Sequence, residues 1–166
     1  LSPGRSEHRL LVFGKDRMSS MPIDAAFPVL HGKNGEDGTI QGLIELAGIP
    51  LAGCGVLASA LCMDKDRAHK LAGLTGVRVP KACVFRQRSA GEVEVFAEKI
   101  GYPLFVKPVK AGSSYGVTKV QGPQELEAAV WLAFQHDDEV IVEENIEGFE
   151  VGCAVLGNVD LMTGEV

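Results

Sequence analysis

His31-Gly-Lys-Asn-Gly-Glu-Asp-Gly-Thr-Ile-Gln-Gly42 decides how the rest of the 166-residue chain is read. An imidazole, two carboxylates and four glycines accompany an amphipathic pattern in which Ile40, Leu43, Ile44 and Ala47 recur at i, i+3, i+4 and i+7. The spacing predicts a loop feeding a helix over about residues 38–47. Ahead of it, Ile23-Asp-Ala-Ala-Phe-Pro-Val-Leu30 is apolar enough for a buried strand, with Pro28 confined to its edge or end. Strand, glycine-rich turn and helix N-terminus together aim unpaired backbone N–H groups at an anionic ligand. Glycine also supplies positive φ wherever a chain bends, so such a turn by itself often does nothing but turn.

Working outward, residues 9–14 read as a short strand closed by a turn at Gly14-Lys-Asp16. Gly48 ends the helix and Pro50 prevents its continuation. The small apolar run 53–63 is expected to pack against the sheet. Asp64 then caps a second helix, with Ala68, Leu71 and Leu74 as its buried stripe and Gly76 as its stop. A domain hinge is expected between Cys62 and Lys65.

From there strands and helices alternate. Residues 82–85 are a strand, and Ser89-x-x-Glu92 is a capping box for a helix presenting Val93, Phe96, Ala97 and Ile100 on one face. A strand over 104–107, a glycine- and serine-rich loop over 108–116 with a mobile tip, and a return strand over 117–120 make a hairpin. Pro123 opens a helix with Leu126, Ala129, Val130 and Ala133 inward. Strands over 139–144 and 150–156 complete the pattern.

The length allows one domain or two small ones, and 46% hydrophobic residues are enough for a sizeable core. A net charge of −6 disfavours nucleic acid or a membrane surface as partner. No signal peptide or 18-residue apolar span is recognisable, so a soluble cytoplasmic protein is expected. Cys54, Cys62, Cys83 and Cys153 are widely spaced without CxxC pairing, which predicts buried, reduced thiols. Leu1 is no initiator methionine, and the chain reads as a fragment.

Three constellations carry chemistry. In Lys107-Pro-Val-Lys-Ala-Gly-Ser-Ser-Tyr-Gly116 a lysine at the end of a buried strand precedes a tip whose glycines let backbone N–H groups approach phosphate oxygens. This is no Walker A loop, because the lysine comes before the glycines and no helix follows. Lys65 stands in a helix first turn, where it opposes the helix dipole unless an anion joins it. Val140 to Ile146 is an extended segment whose backbone groups suit the edge of a purine, with Val142 and Ile146 as apolar walls.

The opening stretch, His-Gly-x-x-Gly-Glu-Asp-Gly-x-Ile-Gln-Gly, resembles position for position the N-terminal signature of the D-alanine:D-alanine ligase family, which includes ligases of glycopeptide-resistant bacteria. Val106-Lys-Pro followed by Gly-Ser-Ser-x-Gly is similar to the phosphate-covering loop of ATP-grasp enzymes. Met63-Asp-Lys65 resembles the family's hinge-proximal lysine segment. The resemblance implies an α/β protein: a truncated N-terminal α/β domain over 1–62, an ATP-grasp central subdomain (α+β) over 63–146, and the start of a catalytic subdomain over 147–166. It implies that Lys65 and Lys107 contact nucleotide phosphates and that Ser114 meets the γ-phosphate through its backbone. Ser113 would belong to a hydrogen-bonded set closing the site over the second substrate. Glu143 would take the adenine amino group, Glu144 and Ile146 would give backbone contacts, and Glu150 would hold the ribose hydroxyls. His31 and Glu36 would be second-substrate and loop-positioning groups, although His31 bonding only its own turn is an equal alternative. Asp37 reads as an N-cap.

ATP and Mg2+ are the implied cofactors, with the magnesium ligands past Val166. The implied partners are D-alanine and a second D-amino acid or D-hydroxy acid, with a homodimer for the full-length chain and an inactive fragment. Gly-Phe-Glu-Val-Gly-Cys-Ala-Val-Leu-Gly over 148–157 leans toward the resistance-type ligases. Alternatives are another ATP-grasp carboxylate ligase or a non-catalytic nucleotide-binding module. The former leaves the His31–Gly42 stretch unexplained, and the latter would be favoured if the full-length gene also lacked the downstream acidic metal ligands.

Overall fold

The computed structural model describes residues 1, 4, 7–86 and 90–154. Its elements run β1 (Arg9–Phe13), β2 (Met18–Pro22), α1 (Thr39–Leu46), α2 (Val56–Met63), α3 (Lys65–Leu74), β3 (Ala82–Phe85), α4 (Ala90–Ile100), β4 (Leu104–Pro108), β5 (Thr118–Val120), α5 (Pro123–Phe134) and β6 (Val140–Glu144). The fold is mixed helix and sheet, as expected. No helix among the described residues is long and apolar enough to cross a membrane.

The larger sheet has the order β3-β6-β4-β5, with every pair antiparallel. Leu104 and Val106 of β4, Val140 and Val142 of β6 and Val120 of β5 turn to one face. There they form a core with Val93 and Ala97 of α4 and Leu126, Ala129, Val130 and Ala133 of α5. Successive strand residues point to opposite faces, so the same alternation sends Phe105, Lys107 and Glu143 the other way. Phe105 stands directly across from Glu143 in the β4–β6 register, with Lys107 opposite Ile141. Pro123 opens α5 at its first position, where its missing N–H costs no helical bond.

The N-terminal half is built more lightly. β1 and β2 form a two-stranded hairpin, its turn closed by the Gly14 amide donating to Arg17 O at 2.9 Å. Ile44, Ala47 and Ile49 are the buried centre of a small second core, with Ile23, Ala26, Ile40 and Leu51 around it.

Several expectations change. Residues 23–30 are not a strand: a single parallel bridge joins Ala26 to Leu51. Pro28 has no N–H to extend that pairing, and Phe27 and Val29, 74% and 70% exposed, bury nothing. β2 forms instead from a segment with no apolar alternation. Leu43 of α1 is exposed, and α2 packs on α1 and α3 rather than on the sheet. α3 has its main packing on α2 alone, so Leu71 and Leu74, the latter 83% exposed, form no buried stripe. Asp64 does cap α3, accepting from the Arg67 amide at 2.9 Å. The four cysteines are reduced, but Cys54, Cys62 and Cys153 are exposed and Cys83 is half-buried. Ser89 of the capping box lies outside the described residues. Of the strand expected over 150–156, residues 150–154 are not strand and the rest lie outside the described residues.

Candidate active site

The His31–Gly42 stretch is held by its own backbone. Gly32 N donates to Glu36 Oε2 at 2.5 Å, while Gly35 N and Glu36 N both donate to Gly32 O, at 3.1 and 2.9 Å. Asp37 accepts from the Asn34 and Thr39 amides at 2.7 and 3.0 Å. Burial pushes its carboxyl up, but the hydrogen bonds from Asn34 and Thr39 outweigh that and hold it below the ordinary value. Gly38 takes the N-cap position, so Asp37 serves the first helical N–H from one residue upstream. Gln41 Nε2 donates to Gly35 O at 3.0 Å, fastening the loop to α1, and its Oε1 is buried with no hydrogen-bond partner.

Across from this loop stands the β4–β5 hairpin. Ser113 and Ser114 adopt consecutive left-handed conformations, φ 53° and 58°, uncommon for side-chain-bearing residues and concentrated at functional sites. A Cβ at Gly112 would meet the Gly32 Cα at 2.9 Å, so the hairpin tip rests against the His31–Gly42 stretch. The base of the hairpin is tied to the α5–β6 turn. Val109 N donates to Glu139 O at 3.0 Å, Lys110 N to Asp137 Oδ2 at 2.6 Å and Lys110 Nζ to Glu139 Oε2 at 2.8 Å. Donating that hydrogen bond to the Glu139 carboxylate raises the Lys110 ammonium above its ordinary value.

Lys65, the first residue of α3, donates through Nζ to Ala111 O at 2.7 Å and through its amide to Val109 O at 3.2 Å. Burial lowers its ammonium, and repulsion from Lys107 adds to the effect. Lys107 pairs with the Glu143 carboxylate and lies 4.9 Å from the centroid of the Phe105 ring. Glu143 is 4% exposed, and its Oε2 has no hydrogen-bond partner. Glu144 is held by Lys81, whose amide donates to its carboxylate at 3.0 Å and keeps that group below its ordinary value.

These groups surround one cleft of about 800 Å³, lined by Glu36, Lys65, Lys107, Ser113, Ser114, Glu143, Glu144, Ile146 and Glu150. His31 is the exception among the candidates. Its ring is 79% exposed, outside the cleft lining, with Nδ1 4.0 Å from Glu36 Oε1. Val142 corrects a further expectation: it is buried on the helix-covered face of the sheet, and Phe105 lines the cleft instead. Sequence reading passed over Phe105, although it lies two residues before Lys107 and so on the same strand face. It also missed Gln41, Cys54 and Cys62, which line the cleft through tertiary packing and carry no spacing signal of their own. Two ammonium groups, a loop of backbone amides, an apolar wall and a buried carboxylate suit a polyphosphate carried on a flat base. Among the described residues no three His, Cys, Asp or Glu side chains are grouped to hold a metal ion.

The family described as D-ala D-ala ligase N-terminus matches residues 3–54, and that described as D-ala D-ala ligase C-terminus matches residues 73–166. The vancomycin B-type resistance protein VanB of Enterococcus faecalis is 49% identical over 166 residues, 99% of this chain and 47% of VanB. A putative D-alanine–D-lactate ligase of Streptomyces coelicolor is 47% identical, over all of this chain and 47% of its own. The crystal structure of the VanG D-Ala:D-Ser ligase from Enterococcus faecalis superposes with a TM-score of 0.76 at 54% identity, covering 89% of this chain and 42% of that one. The chain thus spans about half the length of the relatives it matches. With both family descriptions matched in order along it, the chain belongs to the D-alanine–D-alanine ligase family.

Proposed function

We propose that the protein carrying this chain is an ATP-dependent ligase that joins D-alanine to a second D-residue through a D-alanyl phosphate. One observation carries this reading: a single cleft gathers every candidate residue except His31 and Val142, drawn from segments more than 100 residues apart in sequence. ATP suits it. Lys65 and Lys107 are placed for the phosphates, and the unpartnered Oε2 of Glu143 can accept from an exocyclic amine. Phe105 and Ile146 offer apolar walls to the base. We assign the ribose hydroxyls to Glu150, the γ-phosphate to the Ser114 backbone, and second-substrate positioning to Ser113, Glu36 and His31. Residues 1–62 form the substrate-side wall, 63–146 the nucleotide-binding unit and 147–166 the start of a third, with a hinge between Cys62 and Lys65. Magnesium falls to residues outside this chain, and it would neutralise phosphate charge when bound.

In the first step the D-alanine carboxylate oxygen forms a bond to the γ-phosphorus as the β,γ-bridging bond breaks. Lys65 and Lys107 stabilise the charge that develops on the phosphoryl oxygens. In the second, the amine or hydroxyl of the other substrate attacks the acyl carbon and phosphate leaves. The hairpin tip resting on Gly32 excludes water that would hydrolyse the acyl phosphate. The relatives include D-alanine–D-lactate, D-alanine–D-serine and D-alanine–D-alanine ligases, so each of the three second substrates is a candidate.

The test uses the full-length protein with ATP, magnesium and D-alanine, each second substrate being added in turn. Phosphate release that depends on D-alanine, with the dipeptide or depsipeptide seen by mass spectrometry, is expected. ATP hydrolysis without product, or no nucleotide binding at all, would refute the proposal.

A further inference from the structure

His69 lies on α3 and belongs to none of the motifs described so far. Its Nδ1 is buried without a hydrogen-bond partner, 3.9 Å from Oε2 of Glu143, which is equally buried and unpartnered. The other oxygen of Glu143 is paired with Lys107. One buried carboxylate therefore holds one cation and faces a ring nitrogen that becomes cationic on taking a proton. A phosphate that draws the Lys107 ammonium toward itself loosens the pair with this carboxylate. If Lys107 moved away, Glu143 would be left as an unpaired buried charge, a strongly unfavourable state. A second cation at His69 removes that obstacle.

We propose that His69 is a positioning residue that takes up a proton as nucleotide binds, replacing Lys107 as counter-ion of Glu143 and releasing Lys107 toward the phosphates. This rests on the reading of the cleft as a nucleotide site. The charged surroundings leave Glu143 as the group His69 answers to. Glu143 on β6 faces it directly, and Lys107 on β4 shares that carboxylate. α2, packed against α3, carries Cys62 as its one titratable side chain. On α3 itself Lys70 pairs with Asp66 at 2.6 Å, Arg67 pairs with Asp64, and Lys65 donates to Ala111 O. The His69 side chain is 30% exposed, so protons reach the ring from solvent.

Calorimetric titration of the full-length protein with ADP and magnesium, in buffers of different ionisation enthalpy near pH 7.5, measures the protons taken up per nucleotide. Wild type is expected to take up as much as about one proton, with affinity falling as the pH rises through the range where imidazole titrates. His69→Gln should bind more weakly and take up no proton beyond the nucleotide's own. His69→Lys, already charged, should keep its affinity, lose the uptake and bind independently of pH over this range. Far-UV circular dichroism confirms that both variants are folded. Uptake that persists in the folded variants, or wild type binding ADP without uptake, overturns the role of His69. Wild type that binds no ADP overturns the nucleotide reading itself, which separates the two failures.

Discussion

Gly112→Ala tests whether the contact between the hairpin tip and the His31–Gly42 stretch serves the chemistry. The added Cβ would sit 2.9 Å from the Gly32 Cα, whereas ordinary contact begins at 3.4 Å, so the two backbones must separate by about 0.5 Å. The opposing atom is main chain rather than the end of a flexible side chain, so no rotamer change relieves the clash. Gly112 has no positive φ, so the effect is steric and not conformational. Overpacking of this kind costs about 1–3 kcal/mol where it is resisted. Here the surface loop can give way, so the displacement falls on Ser113 and Ser114 rather than on the core. A misplacement approaching 1 Å costs on the order of 100-fold in rate, so a loss of roughly 10- to 100-fold is expected in kcat/KM of the full-length protein. Steady-state phosphate release measures this, alongside thermal unfolding expected to lie near that of wild type. Wild-type kinetics in a folded Gly112→Ala protein would refute the idea that this contact positions the loop.

Gly91→Ala is the matching control. Nothing lies within 4 Å of the added Cβ near the start of α4, so up to about 1 kcal/mol of stabilisation is expected by urea denaturation, with kinetics unchanged. Asp64→Ala removes the cap on the Arg67 amide and should destabilise by about 1–2 kcal/mol, read from the same urea curves. The Glu139 carboxyl is held below its ordinary 4.5, first by the hydrogen bond from Lys110 and then by that from Arg86. A depressed folded value stabilises above the unfolded one, and that contribution is lost as pH falls from about 4.5 through the folded value. Asp137 has the opposite sign: burial raises its carboxyl, so ionisation opposes folding above its folded value and acid relieves this. Glu139→Gln should therefore be less stable than wild type at neutral pH and lose less on acidification, measured by urea midpoints between about pH 7 and 3.

Much of this molecule is legible because its signals are local. Apolar periodicity locates α5 and its inward residues Leu126, Ala129, Val130 and Ala133. Turn glycines mark Gly48 and Gly76, both at positive φ, and Asp64 reads as a cap from its place before a helix. Apolar content misled where no partner element arrives: Phe27 and Val29 look like strand residues, and Leu71 and Leu74 like a helix stripe, yet burial needs something to pack against. The twelve-residue stretch at His31 marked the family, yet spacing could not show that the His31 side chain is exposed beside Glu36 rather than part of the cleft lining.

What the sequence determined by itself is the set of ingredients: where most of the helices and the strands of the larger sheet form, which lysines and carboxylates accompany flexible glycine turns, and which family those strings belong to. Local backbone preference and short-range periodicity are written into neighbouring residues, so they survive reading one residue at a time. The tertiary structure decided the combinations. Lys107 pairs with Glu143, Lys65 reaches Ala111, Gly112 rests on Gly32 and His69 faces Glu143 because the β4–β6 register and the packing of α3 bring distant residues together. Those contacts depend on strand alternation and on how separate elements dock, neither of which any single stretch of the chain contains.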